Sequence, residues 1–257
     1  MAYRLEGKSV LVTGGDQGIG HGIAIRLAQE GADVAIGFRS NQQGADDTVR
    51  ELQALGRKAT AVKGDVGKID DDRRIVQEAI AKLGKLDILV NNAGLERHAD
   101  FWDATEQDYD MVMNVNLKSA FFITQEFVRY LMARKSGGKV INISSVHEEL
   151  PFPHFASYCA SKGGLKMLMR NLSIELAPLG ININNIAPGA IETPINSKLL
   201  NDPEKLNALL QNIPLKRLGK PEDVAGMAAF LASSDADYVT GTTFFVDGGL
   251  VWNYQEQ

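Results

Sequence analysis

The stretch Ser9-Val10-Leu11-Val12-Thr13-Gly14-Gly15-Asp16-Gln17-Gly18-Ile19-Gly20 decides the fold. An apolar run of strand character stops at a threonine, and a glycine-rich turn leads straight into a helical pattern. Glycines at 14, 18 and 20 permit a tight turn and let backbone N–H groups approach a pyrophosphate at the N-terminus of the following helix, where the helix dipole favours an anion. Lying between a strand and a helix at the start of an alternating chain, the run reads as a dinucleotide cradle.

Outward from it, short apolar runs alternate with helical patterns along the chain, which predicts a doubly wound α/β fold of the Rossmann type: a parallel sheet with helices on both faces. Strands are expected at Ser9–Val12, Val34–Gly37, Thr60–Lys63, Ile88–Val90, Val140–Ile143, Asn182–Asn185 and Thr243–Val246, a seven-stranded sheet. Ile75, Val76, Ala79, Ile80 and Leu83 recur at helical spacing. Thr105 to Asp108 has the form of an N-cap with an acid three residues on, opening a helical region to about Arg134 that breaks near Asn116. Asp202-Pro203 and Lys220-Pro221 mark further helix starts. With no repeat, low-complexity tract or linker, residues 1–257 read as one domain. The alternation is interrupted only over 190–217, after a strand's carboxyl end, and that interval is expected to be a substrate lid.

The 257 residues are 44% hydrophobic and 23% charged, with a net charge of -5, which argues against general nucleic-acid binding. No apolar run is long enough for a membrane span, the N-terminus does not read as a leader, and the single cysteine, Cys159, allows no internal disulfide; a cytoplasmic protein is expected. No His/Cys/Asp cluster has metal-ligand spacing, so no metal is expected, and His21, His98 and His154 have no informative context.

A second stretch carries chemistry. Val140-Ile-Asn-Ile-Ser144-Ser145 ends a strand in two hydroxyls, and Tyr158-Cys-Ala-Ser-Lys162 lies on a helix expected from Ser157 to Ala177. Tyr158 and Lys162 are i, i+4 neighbours and share a face. A cation beside a phenol favours the phenolate, so the ammonium, with a cationic nicotinamide ring, is expected to lower the tyrosine's pKa and make it a base. Ser145 would hydrogen-bond the substrate oxygen whose proton the tyrosine takes.

Thr13-Gly14-x-x-x-Gly18-x-Gly20, Asn91-Asn92-Ala93-Gly94, Asn116, Ser145, Tyr158-x-x-x-Lys162 and Pro188-Gly189, in that order and spacing, resemble the short-chain dehydrogenase/reductases over essentially the whole chain. The resemblance implies a catalytic set of Asn116, Ser145, Tyr158 and Lys162: Tyr158 as acid/base, Lys162 lowering its pKa and holding the nicotinamide ribose, Ser145 orienting the substrate oxygen, and Asn116 anchoring a proton-relay water chain. It places the cofactor along Gly14, Asp16, Gly18, Ile19 and Gly20, with Asp65 and Val66 at the adenine, Asn92, Ala93 and Gly94 at the adenosine ribose, and Pro188, Gly189, Ile191 and Thr193 around the nicotinamide. At the end of the second strand, Phe38 stands where NAD-specific relatives carry an aspartate, and Arg39 beside Ser40 suits a 2′-phosphate. Asp16 pulls the other way. Dual use is expected, NADP slightly ahead of NAD.

A narrower resemblance, to the bacterial glucose 1-dehydrogenases, rests on Asn91 to Glu96, Ser144-Ser145-Val146-His147-Glu148, Ala160 to Gly164 and Pro188 to Asn196. It implies a sugar substrate met by Glu96, Ser145, His147, Tyr158 and Asn196, with β-D-glucose oxidised at C1 to the 1,5-lactone. A site of paired donors and acceptors suits a pyranose, whereas a steroid or acyl-chain enzyme would line the cleft with apolar groups. The alternative is an NADPH-dependent reductase of another carbonyl, a 3-oxoacyl thioester or small ketone; the intact set Asn116, Ser145, Tyr158 and Lys162 speaks against a non-catalytic nucleotide sensor. The resemblance implies a homotetramer with the C-terminal segment at a subunit interface; the aromatic tail here, with Trp252 and Tyr254, could equally cover its own core.

Overall fold

Every expected strand forms; the central ones are buried on both sides because helices cover both faces of the sheet, and the edge strands Ala59–Lys63 and Thr243–Val246 are only partly buried. The computed structural model describes residues 4–194 and 201–253. Strands β1 (Ser9–Thr13), β2 (Asp33–Phe38), β3 (Ala59–Lys63), β4 (Ile88–Asn91), β5 (Gly138–Ile143), β6 (Ile181–Pro188) and β7 (Thr243–Val246) pair in parallel in the order β3-β2-β1-β4-β5-β6-β7. The strand order reverses between β1 and β4, and the crevice beyond their carboxyl ends is where such sheets take ligands.

Side chains alternate between two cores. Val10, Val12, Val34, Ile36, Ile88, Val90, Ile141 and Ile186 face one layer, built from α1 (Gly18–Gln29), α2 (Gln42–Ala54) and the last long helix. Leu11, Ala35, Leu89, Val140 and Ile183 face the other, built from α3 (Ile69–Leu83), α5 (Ser119–Arg134) and α6 (Ala156–Leu176), with α4 (Glu106–Met113) leading into α5. Each such side chain fully withdrawn from water contributes about 1.5–3 kcal/mol. The remaining helices are α7 (Pro203–Asn212) and α8 (Pro221–Ala232). Helix α1 lies against the start of α8 so closely that a Cβ at Gly22 would come within 2.7 Å of the Pro221 side chain.

The local signals act as expected. Thr105 accepts from the Asp108 N–H and Asp202 from the Lys205 N–H, each capping its helix. The break near Asn116 is a π-helical turn, Asn114–Lys118, which joins α4 to α5 and turns Asn116 inward to 2% exposure. Two bounds differ. β6 runs on to Pro188, because Ile186 and Ala187 pair with Phe244 and Phe245 and a proline is tolerated at the strand's end. α6 starts one residue early, at Ala156.

Of the interval 190–217, the described part is not wholly an excursion. Ile191 bridges to Gly219 and is buried, Ile213 is buried against Gly248, and α7 between them is a surface helix with no buried residue. Asn196 lies outside the described residues, as do Tyr254 and the residues after it. No helix among the described residues is long and apolar enough to cross a membrane.

Candidate active site

The first turn of the crevice is held open by backbone that only glycine accepts easily. Gly14 and Gly18 have φ of +63° and +56°. A Cβ at Gly20 would stand 2.1 Å from the Gly14 carbonyl oxygen. Across the crevice, Thr13 Oγ1 accepts from the N–H groups of Asn92 and Ala93, and Asn92 Nδ2 donates to the Thr13 and Gly14 carbonyls at 2.8 and 3.0 Å. These bonds lock the glycine turn to the Asn92–Gly94 loop.

The N-terminus of α1 has no side-chain cap and no acidic residue in its first turn, so its free N–H groups and dipole face the crevice without a protein anion. That end of the site fits a dinucleotide pyrophosphate. The other expected cofactor positions line the same edge. Thr193 lies over the turn, its Cγ2 3.5 Å from where a Cβ on Gly18 would be, and Gly189 passes so close to Asp247 that a Cβ would meet it at 2.9 Å. Asp65 is fixed by the Gly67 N–H on its Oδ1, with Val66 packed on the core. Arg39 and Ser40 are exposed at the end of β2, and the Asn41 amide that follows reaches back to the Asp16 carbonyl.

Ser145, Tyr158 and Lys162 come together where β5 ends and α6 begins. Ser145 is buried, in extended backbone, its hydroxyl bonded to the phenol of Tyr158 and accepting from the His147 N–H at 3.2 Å. Lys162, 4% exposed, stands 5.6 Å from the centre of the Tyr158 ring, and its Nζ donates to the Ile143 carbonyl at 2.9 Å. Asn116 faces the same cluster: its amide donates to Ser161 Oγ at 3.0 Å and exchanges two 2.9 Å bonds with the backbone of Leu95. Its side chain is therefore spent on fixing the loop after β4 against α6.

The protein's own groups oppose the expected fall of the phenol's pKa, which also counts the charge of a bound nicotinamide ring. With Lys162 beside it, the Tyr158 phenol is pushed up to about 12, because burial outweighs the Ser145 hydrogen bond that pulls it down, and the Glu96 carboxylate adds to the rise. Burial brings the Lys162 ammonium down to about 8, with Glu148 acting against the fall. Burial acts on both groups, and residue spacing alone does not show it.

Glu96 and His147 border the same cluster. Burial raises the Glu96 carboxyl above its ordinary value, and its charge is felt at Tyr158. Burial lowers His147, whose Nδ1 donates to the Leu150 carbonyl at 3.2 Å and leaves Nε2 as an acceptor. The imidazole meets the Tyr158 ring edge to face at 6.3 Å.

Aromatic residues that the sequence reading passed over continue from there. Phe152 stacks on His147 at 4.2 Å and on Phe155 at 4.1 Å, Phe155 meets the edge of His98 at 5.2 Å, and His98 stacks on His154 at 5.1 Å. His154, at φ +70°, closes the row on Asp100 with a 2.6 Å contact. The Phe152-x-x-Phe155 spacing was the available signal. His98 and His154, without context in the sequence, tie the loop after β4 to the loop after β5.

The comparisons agree with this geometry. A family model described as enoyl-(acyl carrier protein) reductase matches residues 14–251. The chain is 44% identical to 3beta-hydroxysteroid dehydrogenase 1 of Eggerthella lenta, covering 96% of this chain and 94% of that protein. It is 41% identical to glucose 1-dehydrogenase of Gluconobacter oxydans, covering 96% and 93%. Among solved structures, a gluconate 5-dehydrogenase from Burkholderia cenocepacia in complex with NADP and tartrate superposes with a TM-score of 0.92 at 38% identity, covering 98% of each chain. A family model over residues 14–251 and full-length relatives at 41–44% identity thus show that the chain belongs to the short-chain dehydrogenase/reductases.

Proposed function

We propose that this chain is an NADP-preferring, NAD-tolerant dehydrogenase that oxidises a sugar hydroxyl, with C1 of β-D-glucose as its substrate position and the 1,5-lactone as product. The observation that carries the reading is the convergence of the half-buried Glu96 carboxylate and the His147 acceptor nitrogen on the Ser145–Tyr158 pair. A carboxylate and an imidazole accept from adjacent hydroxyls, which a pyranose presents and a simple alcohol does not. The relatives that act on glucose and gluconate support the same class.

The nicotinamide cofactor supplies the hydride acceptor and, when oxidised, a positive ring. Gly14, Gly18, Ile19 and Gly20 hold the pyrophosphate; Asp65 and Val66 meet the adenine; Asn92, Ala93 and Gly94 lie along its ribose. Pro188, Gly189, Ile191 and Thr193 border the nicotinamide. Arg39 and Ser40 take a 2′-phosphate against the opposing charge of Asp16. Ser145 donates to the substrate oxygen, Tyr158 removes its proton, and Lys162 stabilises the phenolate and binds the nicotinamide ribose. Asn116, through its backbone, anchors the water chain to solvent. The described part of the segment 190–217 borders the sugar as its lid.

A second copy of the chain covers the apolar side chains exposed on α5 and α6, Phe121 and Met132 on one and Met167 and Ile174 on the other, within a homotetramer.

The aromatic row from His147 to His98 favours one second reading, a flat alicyclic alcohol such as a hydroxysteroid, the class named for the Eggerthella lenta relative. Initial rates of NADP and NAD reduction with D-glucose, galactose, xylose, gluconate and a 3β-hydroxysteroid decide between them. Selective turnover of glucose supports the first reading; turnover of the steroid with no sugar response replaces it by the second.

A further inference from the structure

The turn between β3 and α3 carries Asp65 and Val66, and one carboxylate fixes it. Asp71, in the first turn of α3, accepts the Asp65 N–H on Oδ2 at 2.8 Å. Its Oδ1 accepts from Arg74 Nη2 at 2.7 Å, and the same nitrogen donates to the carbonyl of Lys63, the last residue of β3, at 2.8 Å. The pair therefore ties the start of α3 to the strand before the turn and to the turn itself. Gly64 lies between these two anchor points with little space around it: a Cβ there would stand 2.8 Å from Ile75 Cδ1 and 3.1 Å from Arg74 Nη2. Its N–H donates to the Phe38 carbonyl at 2.8 Å, which joins the turn to the end of β2.

The bonds made within the protein decide what the turn has left to offer. The Lys68 N–H donates to the Asp65 carbonyl at 2.9 Å and the Gly67 N–H to Asp65 Oδ1 at 3.0 Å. With the Asp65 N–H on Asp71, the N–H groups of Asp65, Gly67 and Lys68 are all spent. Among the described residues, the Val66 N–H and Asp65 Oδ2 have no partner. One acceptor and one donor on neighbouring residues match adenine, whose N6 amino group donates and whose N1 accepts. Hypoxanthine inverts both, with an accepting O6 and a donating N1–H.

We propose that Asp71, braced by Arg74, is the positioning residue of the adenine half-site: it takes the Asp65 N–H out of play, so that the turn offers a base one acceptor and one donor, and this sets a preference for adenine over a 6-oxopurine. This rests on the reading of Asp65 and Val66 as the adenine contacts. Arg74, and after it the Asp65 N–H, hold the Asp71 carboxyl below its usual range, so the clamp is charged at neutral pH. Without the carboxylate, the Asp65 N–H becomes a second open donor beside that of Val66, and the turn can rotate about Gly64. A base with a carbonyl at C6 is then accepted as well. Both clamp side chains are partly exposed, so truncating them spares the core.

The test is calorimetric titration with NADP and with nicotinamide hypoxanthine dinucleotide phosphate, read as the ratio of their Kd values. It needs no sugar, so failure of the sugar reading leaves it intact. The unmodified chain should bind NADP about 10-fold or more the tighter. In Asp71→Ala the ratio falls below about 3, and Asp71→Asn, which keeps an acceptor for the Asp65 N–H, returns most of it. Glu78→Gln, which meets only the other arm of Arg74, leaves the ratio in place. A purely structural role would weaken both dinucleotides alike, so an unmoved ratio in Asp71→Ala overturns the proposal, as does a fall in Glu78→Gln equal to that in Asp71→Ala. Equal affinities in the unmodified chain overturn the adenine reading of Asp65 and Val66, and the proposal with it. Should Asp71→Ala not fold, amide exchange in the unmodified chain decides: Asp65 N–H is expected to be protected without cofactor and Val66 N–H only with NADP, and an Asp65 amide that exchanges as fast as that of Val66 overturns the proposal equally.

Discussion

Lys162 Nζ lies 5.6 Å from the centre of the Tyr158 ring while donating a hydrogen bond to the Ile143 carbonyl, which ties α6 to β5 beside the phenol. Burial holds that phenol up at about 12. Below that value each pH unit multiplies the phenolate fraction about tenfold. Oxidation is therefore expected to accelerate with pH across the neutral and alkaline range, while the reverse reduction, which uses the protonated phenol, stays flat there. Tyr158→Phe should lower kcat about 10²–10⁴-fold in both directions with little change in the Kd for NADPH. Rate–pH profiles and fluorescence titration of the cofactor check this, and an oxidation rate independent of pH would remove the phenolate from the mechanism.

Phe152 stacks on the imidazole of His147, whose ring also meets that of Tyr158. Truncation to alanine removes a stacked pair worth about 0.5–1.5 kcal/mol beyond its buried area and frees the ring to turn. Phe152→Ala should raise the KM for sugar about 3–10-fold, with a smaller effect on kcat, because the acceptor nitrogen loses its aim and the base does not. An equal fall in kcat with KM unchanged would mean that His147 acts in the chemical step.

Arg39 is exposed and has no bonding partner among the described residues, which leaves its guanidinium available to a phosphate. A charge-assisted bond of this kind contributes about 1.5–3 kcal/mol, or roughly 10–100-fold in affinity. Arg39→Ala should cost NADP that factor in kcat/KM and leave NAD within about twofold. Asp16→Ser should raise kcat/KM for NADP. If Arg39→Ala weakens both cofactors equally, the residue positions the loop and does not read the 2′-phosphate.

The sheet was legible because its central strands are buried on both faces, and double burial writes continuous apolar runs into the sequence. Helix starts were legible where a side chain does the capping, as at Thr105 and Asp202. The π-turn left only the trace of a break near Asn116, since it is defined by backbone hydrogen bonding. The site residues were legible as identities and spacings, while their ionisation was not. Spacing shows that Lys162 is beside Tyr158; it does not show that both are desolvated. The aromatic row and the buried amide contact join residues from separate strands and loops, such as His98 with Phe155 and Asn91 with Asn142, and only the tertiary fold brings them into line.

Asp72 on α3 carries a stability prediction. It is 1% exposed, its Oδ1 has no partner, and burial with the nearby Asp71 and Asp65 pushes its carboxyl up to about 8, against the opposing charge of Lys118. Between about pH 4 and pH 8 the folded chain holds a proton there that the unfolded chain has released, so folding binds a proton and stability falls as pH rises. The slope from this group reaches about 1.4 kcal/mol per pH unit; its contribution is complete below the unfolded value and lost on passing the folded one. Asp72→Asn keeps the shape and cannot ionise. Its melting temperature relative to the unmodified chain should climb from about pH 5 to about pH 8 and level off above that, by about 2–4 °C for each kcal/mol recovered, as measured by calorimetry in matched buffers. A difference that stays constant over that range would show that Asp72 is already ionised in the folded protein and that Lys118 has won over burial.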